Sequence, residues 1–261
     1  MRTPTLLALL AALAAPAALP SSAAAQGFGR RGEGRAMPED LGEIPYDGRL
    51  TFARIRFELR DPRGGWAGGQ PPWAHDYPRA ERNFMTILSE ITTARAFRGG
   101  SRIVALGDPE LFNYPIAYMS EPGHWAMSDR EAEAFRAYLR KGGFVIFDDF
   151  AGQDWFNFEA MMRRVIPDVE FVRMTVEHPI FHAFFEIETL ELRHPNRRDL
   201  TAEFFGIFED NDPGKRLLAI VNYNTDIGDY FEYSDTGFLP VDLSNDAYKL
   251  GVNYWMYALT R

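Results

Sequence analysis

A chain of 261 residues with 46% hydrophobic and 25% charged positions has ordinary globular composition and is long enough to build its own core. Its 37 acidic against 28 basic side chains, a formal net charge of −9, argue against nonspecific nucleic-acid binding and against adhesion to an anionic membrane surface. The absence of cysteine excludes a disulfide framework, a thiolate metal site and a thiol nucleophile.

The chain opens with Arg2, an Ala/Leu-rich apolar run over residues 6–19 and the sequence SSAAAQ. This is the pattern of a secretory signal cleaved after Ala25, too short and Pro-broken for a membrane span. A periplasmic or secreted protein with no membrane span after cleavage is expected. Residues 26–45 are Gly-rich and charged without apolar periodicity, and read as a disordered linker. A single domain is expected over 46–261.

Residues 50–59 alternate apolar and charged side chains, as a strand does. A Gly/Pro-rich loop with Trp66, Trp73, His75 and Tyr77 follows, then a helical period over 79–96. Strands are predicted at 102–107 and 115–120. Ser128 and Glu131 form a capping box that starts a helix, and Lys141-Gly142 closes it. FVIFDDF at 144–150 is a buried strand reached by a parallel crossover. Then come a helix over 154–166, a short strand near 169–174, an apolar loop HPIFHAFFEI at 178–187, a hairpin of 204–210 with 216–224, and a terminal helix over 245–261. The order predicts an α/β fold: an open, mostly parallel sheet with helices on both faces and a β-hairpin appendage.

The segments YPIAYMS, GHWAMSDREAEAFRAYLRKGGFVIFDDF, DYPRAERNF, HPIFHAFF and LGVNYWMYALT together resemble the bacterial domain of unknown function 4159 family, over residues 46–261. The resemblance implies a glutamine-amidotransferase-like, flavodoxin-like fold. Relatives carry von Willebrand-type domains and lie beside AAA-type ATPases, which implies a role in an envelope assembly. The amidotransferase nucleophile is a cysteine, so that activity is excluded here.

In open parallel sheets ligands sit beyond the carboxyl ends of the strands. That rim is expected to carry Glu121, His124 and Trp125, the acids Asp148 and Asp149, and, unless the last strand is antiparallel, Asn222, Asn224 and Asp226. Adjacent strand residues face opposite ways, so Asp148 and Asp149 are expected to be split between the two faces unless the chain turns there. One of them is a candidate general base or ligand with His124; the other reading is a helix cap near residue 154. Arg54 or Arg56 is a candidate partner for either acid. Glu121, Trp125, Asn222 and Asn224 are candidate ligand-binding residues, and Trp66, Trp73 and Tyr77 suit stacking on a sugar face or a protein partner. His178 and His182 have i, i+4 spacing, but Pro179 and the flanking aromatics point to a packed loop. His75 and His194 show no partner in the sequence. His124 with Glu121 and a carboxylate offers N/O ligands to a divalent metal, but no metal or cofactor motif supports this and none is expected. The chain reads as a non-catalytic module of the cell envelope that binds a protein partner or a carbohydrate-like ligand. The alternative is a hydrolase of a sugar-like substrate using Asp148 or Asp149 with His124.

Overall fold

Apolar runs that line up in parallel make the centre of the fold. In a computed structural model, which describes residues 45–61, 70–197 and 199–261, the strands are β1 (Leu50–Arg56), β2 (Glu58–Leu59), β3 (Ala96–Ala105), β4 (Ile116–Ser120), β5 (Trp125–Ala126), β6 (Phe144–Phe150), β7 (Val172–Arg173), β8 (Glu203–Phe208) and β9 (Leu217–Tyr223). The helices are α1 (Arg79–Ile91), α2 (Asp129–Arg140), α3 (Asp154–Val165), α4 (Ile227–Glu232) and α5 (Val241–Thr260). The signal and linker segments and Trp66 lie outside the described residues.

The main sheet has the order β3-β1-β4-β6-β9-β8-β7. Its first five strands are mutually parallel; β8 and β7 continue it antiparallel. The expected hairpin of β8 with β9 is present, and β9 is also a parallel neighbour of β6. The carboxyl end of β9 therefore shares the rim of β1, β4 and β6. Strand alternation sorts the core into two layers. Val145 and Phe147 of β6 pack with α2 and α3, through Phe135, Leu139, Phe158 and Met162. Phe144 and Ile146 pack with α1, α4 and α5, through Phe84, Tyr230 and Trp255.

The helix signals hold locally. Ser128 Oγ accepts from Glu131 N at 3.3 Å, and the Glu131 carboxylate accepts from Ser128 N at 2.8 Å, closing the capping box. Gly142, with φ of +115°, ends α2 where a side chain would be strained.

Several boundaries move. The strand expected over 50–59 stops at Arg56, where its ladder with β3 ends, and Glu58–Leu59 pairs antiparallel with β5 in a separate small sheet. β3 begins at Ala96 and α5 at Val241, both earlier than their periodicity suggests. β7 is only two residues long, and the short helix α4 was not foreseen.

Candidate functional site

β6 carries Asp148 and Asp149 into the rim, and the ladder with β9 shifts register between Phe147 and Phe150. Such a bulge re-aims side chains. Asp149 sits in the left-handed region, with φ of 63°. This turn overrides the strand alternation: the Asp149 carboxylate reaches Ser120 Oγ, 3.0 Å away, and the ring of His75, with Nδ1 at 2.5 Å. Asp76, Glu121 and Asn224, all at the same rim, are also left-handed. Non-glycine residues held this way gather at functional sites, because surrounding contacts must enforce the conformation.

Asp148 is completely buried and saturated. Its Oδ2 accepts from Tyr118 Oη at 2.6 Å, Ile227 N at 3.0 Å and Gly228 N at 3.1 Å; its Oδ1 accepts from Asn222 Nδ2 at 2.9 Å. Asn222 Oδ1 in turn accepts from Tyr254 Oη at 3.1 Å. Asp148 therefore anchors the first turn of α4, not the helix near residue 154. Burial pushes its carboxyl up to about 7, against hydrogen bonds that favour the charged form.

The Arg54 pairing differs from expectation. Its buried guanidinium donates to Glu81 and, at 3.1 Å, to the Trp73 carbonyl, with the Tyr118 ring 5.1 Å away. Arg56 is exposed. Neither has a hydrogen bond or ion pair to Asp148 or Asp149 among those described.

The remaining candidates divide. His124 Nε2 lies 3.7 Å from Glu121 Oε2, with 40% of its side chain exposed, while the imidazole on Asp149 is that of His75. Trp125 is buried against Phe135 and Phe147, and Trp73 and Tyr77 are buried in the same layer. These three rings offer no open stacking surface; they are part of the core between the sheet and its helices. Asn224 Oδ1 accepts from Gly152 N at 3.2 Å and fixes the loop after β6. His182 is bound between Glu186 and the Val176 carbonyl, both at 2.6 Å, and His178 Nδ1 accepts from Ile180 N at 3.2 Å. Both are loop-fastening residues.

What the rim gathers is an acid pocket around His75. Asp76, Asp149, Asp226, Asp229 and Glu232 are all buried, and His75 is the most exposed member, with 29% of its side chain open to solvent. One ligating atom from each of His75, Asp76, Asp149 and Asp226 lies within 4.8 Å of the others; Asp76, Asp229 and Glu232 make a second such set. Asp226 Oδ1 caps α4 by accepting from Asp229 N at 2.8 Å, and Asp229 accepts from Asn196. Burial raises the carboxyls of Asp76, Asp226 and Asp229 above their usual range, and neighbouring acids add to it. Glu121 is raised by burial and by Asp149. Burial pulls His75 down, but Asp76 and Asp149 more than reverse this and raise it to about 12, so it is a cation at neutral pH.

Residues 38–259 match the family described as Domain of unknown function (DUF4159). The chain belongs to this family. Among curated proteins, none matches it. The DUF4159 domain also has an apolar groove of about 600 Å³ lined by Ile87, Ile91, Leu239, Val241 and Tyr248. It shares no residue with the acid pocket, and no set of converging titratable groups marks it as a site of chemistry. Of the pocket residues, Asp76, Asp229 and Glu232 are not singled out by the sequence, and His75 shows no partner there. A signal existed in the DUF4159 sequence: Asp226, Asp229 and Glu232 recur every third residue, the spacing that gathers side chains on one helical face.

Proposed function

We propose that this chain is an exported, non-catalytic binding module of the cell envelope that takes its ligand at the acid pocket. The observation that carries the reading is the division of labour at the end of β6. Asp148 spends both oxygens on structural hydrogen bonds, while Asp149 turns into a pocket of buried carboxyls. Such a pocket favours a positively charged ligand. The apolar run at 6–19 and the Ala-rich stretch to Ala25 support export to the periplasm or medium. We also read the fold as flavodoxin-like, the class that includes glutamine-amidotransferase-like domains. Numbered among themselves, the five parallel strands run 2-1-3-4-5, the flavodoxin order.

A second reading, hydrolysis of a sugar-like substrate, is favoured by the Asp149–His75 contact of 2.5 Å, a carboxylate–imidazole pair. A ring already protonated at neutral pH is a poor general base, which ranks this reading second. Melting of the purified protein with spermidine and with neutral oligosaccharides tests the choice. Spermidine should raise the melting temperature and neutral sugars should not, and chromogenic glycosides should stay intact. Glycoside cleavage that disappears in His75→Ala would overturn the binding reading.

A further inference from the structure

We propose that the acid pocket binds a divalent transition-metal ion, of the Mn²⁺ or Zn²⁺ type, through His75, Asp76, Asp149 and Asp226. This rests on the pocket being the ligand site and names the ligand class.

Donors about 2.1 Å from a common centre are at most about 4.2 Å apart. The four side chains already offer one atom each within 4.8 Å, so a small contraction closes the site. They come from three places in the chain: the loop between β2 and α1, the end of β6 and the turn after β9. The sheet order alone brings them together.

A cluster of acids often exists without a metal. Asp76 is what distinguishes this one. It is 2% exposed, and neither of its oxygens accepts a hydrogen bond among the described residues. The nearest cation, His75 Nδ1, is 3.5 Å from Oδ1 and sits closer to Asp149. A buried carboxylate without a hydrogen bond is costly, and a bound cation supplies the missing partner. Gly228 lets the backbone of α4 pack directly on this carboxylate: a Cβ there would fall 2.2 Å from Asp76 Oδ2 and 2.8 Å from Tyr118 Oη. The ligands are themselves held, Asp149 by Ser120 Oγ and Asp226 by the amide of Asp229. Three carboxylates with one imidazole suit Mn²⁺ or Zn²⁺ better than Ca²⁺, which prefers an all-oxygen shell. Asp229 and Glu232 lie alongside Asp76 and add negative field. His75, the most exposed of the four, stands at the solvent side of the pocket, and its ring releases its proton to solvent as the metal ion takes the proton's place.

The test is thermal melting and calorimetric titration of the full protein, first stripped with chelator. MnCl₂ or ZnCl₂ at about 100 times its Kd should raise the melting temperature by about 5–10 °C. Asp76→Asn should melt at or above the metal-free wild type, because it removes a buried carboxyl that accepts no hydrogen bond, yet lose the metal response. Asp149→Asn keeps a residue that tolerates positive φ and should lose the response too. No metal response in the wild type, or an undiminished response in both variants, overturns the site. A response to Ca²⁺ as strong as to Mn²⁺ or Zn²⁺ overturns the assignment of His75 as a ligand. If spermidine stabilises the wild type and no metal does, the metal proposal fails while the binding reading stands. If neither does, both fall.

Discussion

Tyr118, Asn222 and the first two amides of α4 all donate to Asp148, so its removal strands four polar groups in a dry interior. Each orphaned buried donor costs about 1–3 kcal/mol, less what relaxation recovers. Asp148→Ala should therefore destabilise the protein by about 3 kcal/mol or more. Asp149 is next to it in sequence and also buried, but among the described residues it bonds only Ser120 and His75. Asparagine tolerates its left-handed backbone and can keep the Ser120 bond but gives up the charge facing His75, so Asp149→Asn should cost less than Asp148→Ala, about 1–2 kcal/mol. Urea unfolding of the two variants in chelator checks this. Equal losses in both would mean that Asp149, like Asp148, is a structural acid. The sequence marked the pair but misplaced it. Alternation predicts two faces, and a positive φ at an aspartate is set by tertiary contacts that no local pattern reveals.

Among the elements, the loop His178–Ile187 and helix α5 show why two of the quoted motifs belong together. Asn253 is completely buried in α5. Its Oδ1 accepts from Phe184 N at 3.0 Å and Phe185 N at 2.7 Å, and its Nδ2 donates to the carbonyls of Phe181 and Phe185, both at 2.8 Å. One amide thus satisfies an irregular segment that has no ladder of its own. Asn253→Ala should cost about 3 kcal/mol or more, and Asn253→Asp should be no better, since a carboxylate would face two carbonyls. Chemical denaturation measures both; an alanine variant of near wild-type stability would show that water replaces the amide. Elements with strong local codes were legible: the capping box, the Gly142 stop, the apolar period of α3. α4 was not, because six residues make a helix only when Asp148 and Asp226 hold its first amides.

At the scale of the molecule, the alternation of strands and helices carried the α/β class and the mostly parallel sheet, whereas the site depended on distances in sequence that only the sheet order closes. His75 meets Asp149 across 74 positions, and Asp148 meets Gly228 across 80. Each looks unremarkable in its own loop. The same sheet separates two histidines of opposite behaviour. His75, at the acidic rim, stays protonated through the neutral range. His178 lies at the other end, between the rings of Phe208 and Tyr257, near Arg261. Burial lowers its pKa, and the Arg261 charge adds to this. Its Nδ1 accepts from Ile180 N, a bond that protonation of that nitrogen would abolish. A histidine lowered in the folded state binds fewer protons there than in the unfolded chain, so its stabilisation is complete above about pH 6.5 and declines as pH falls. His194, also lowered by burial, has the same sign, while the raised Asp148 has the opposite one. The contribution of His178 must therefore be read as a difference. Asparagine at this cap keeps an acceptor and cannot titrate. The stability of the wild type minus that of His178→Asn, from urea unfolding between pH 5 and 8, should shrink as pH drops below about 6.5. Parallel curves across that range would show that His178 stays unprotonated in folded and unfolded chain alike, or is equally charged in both.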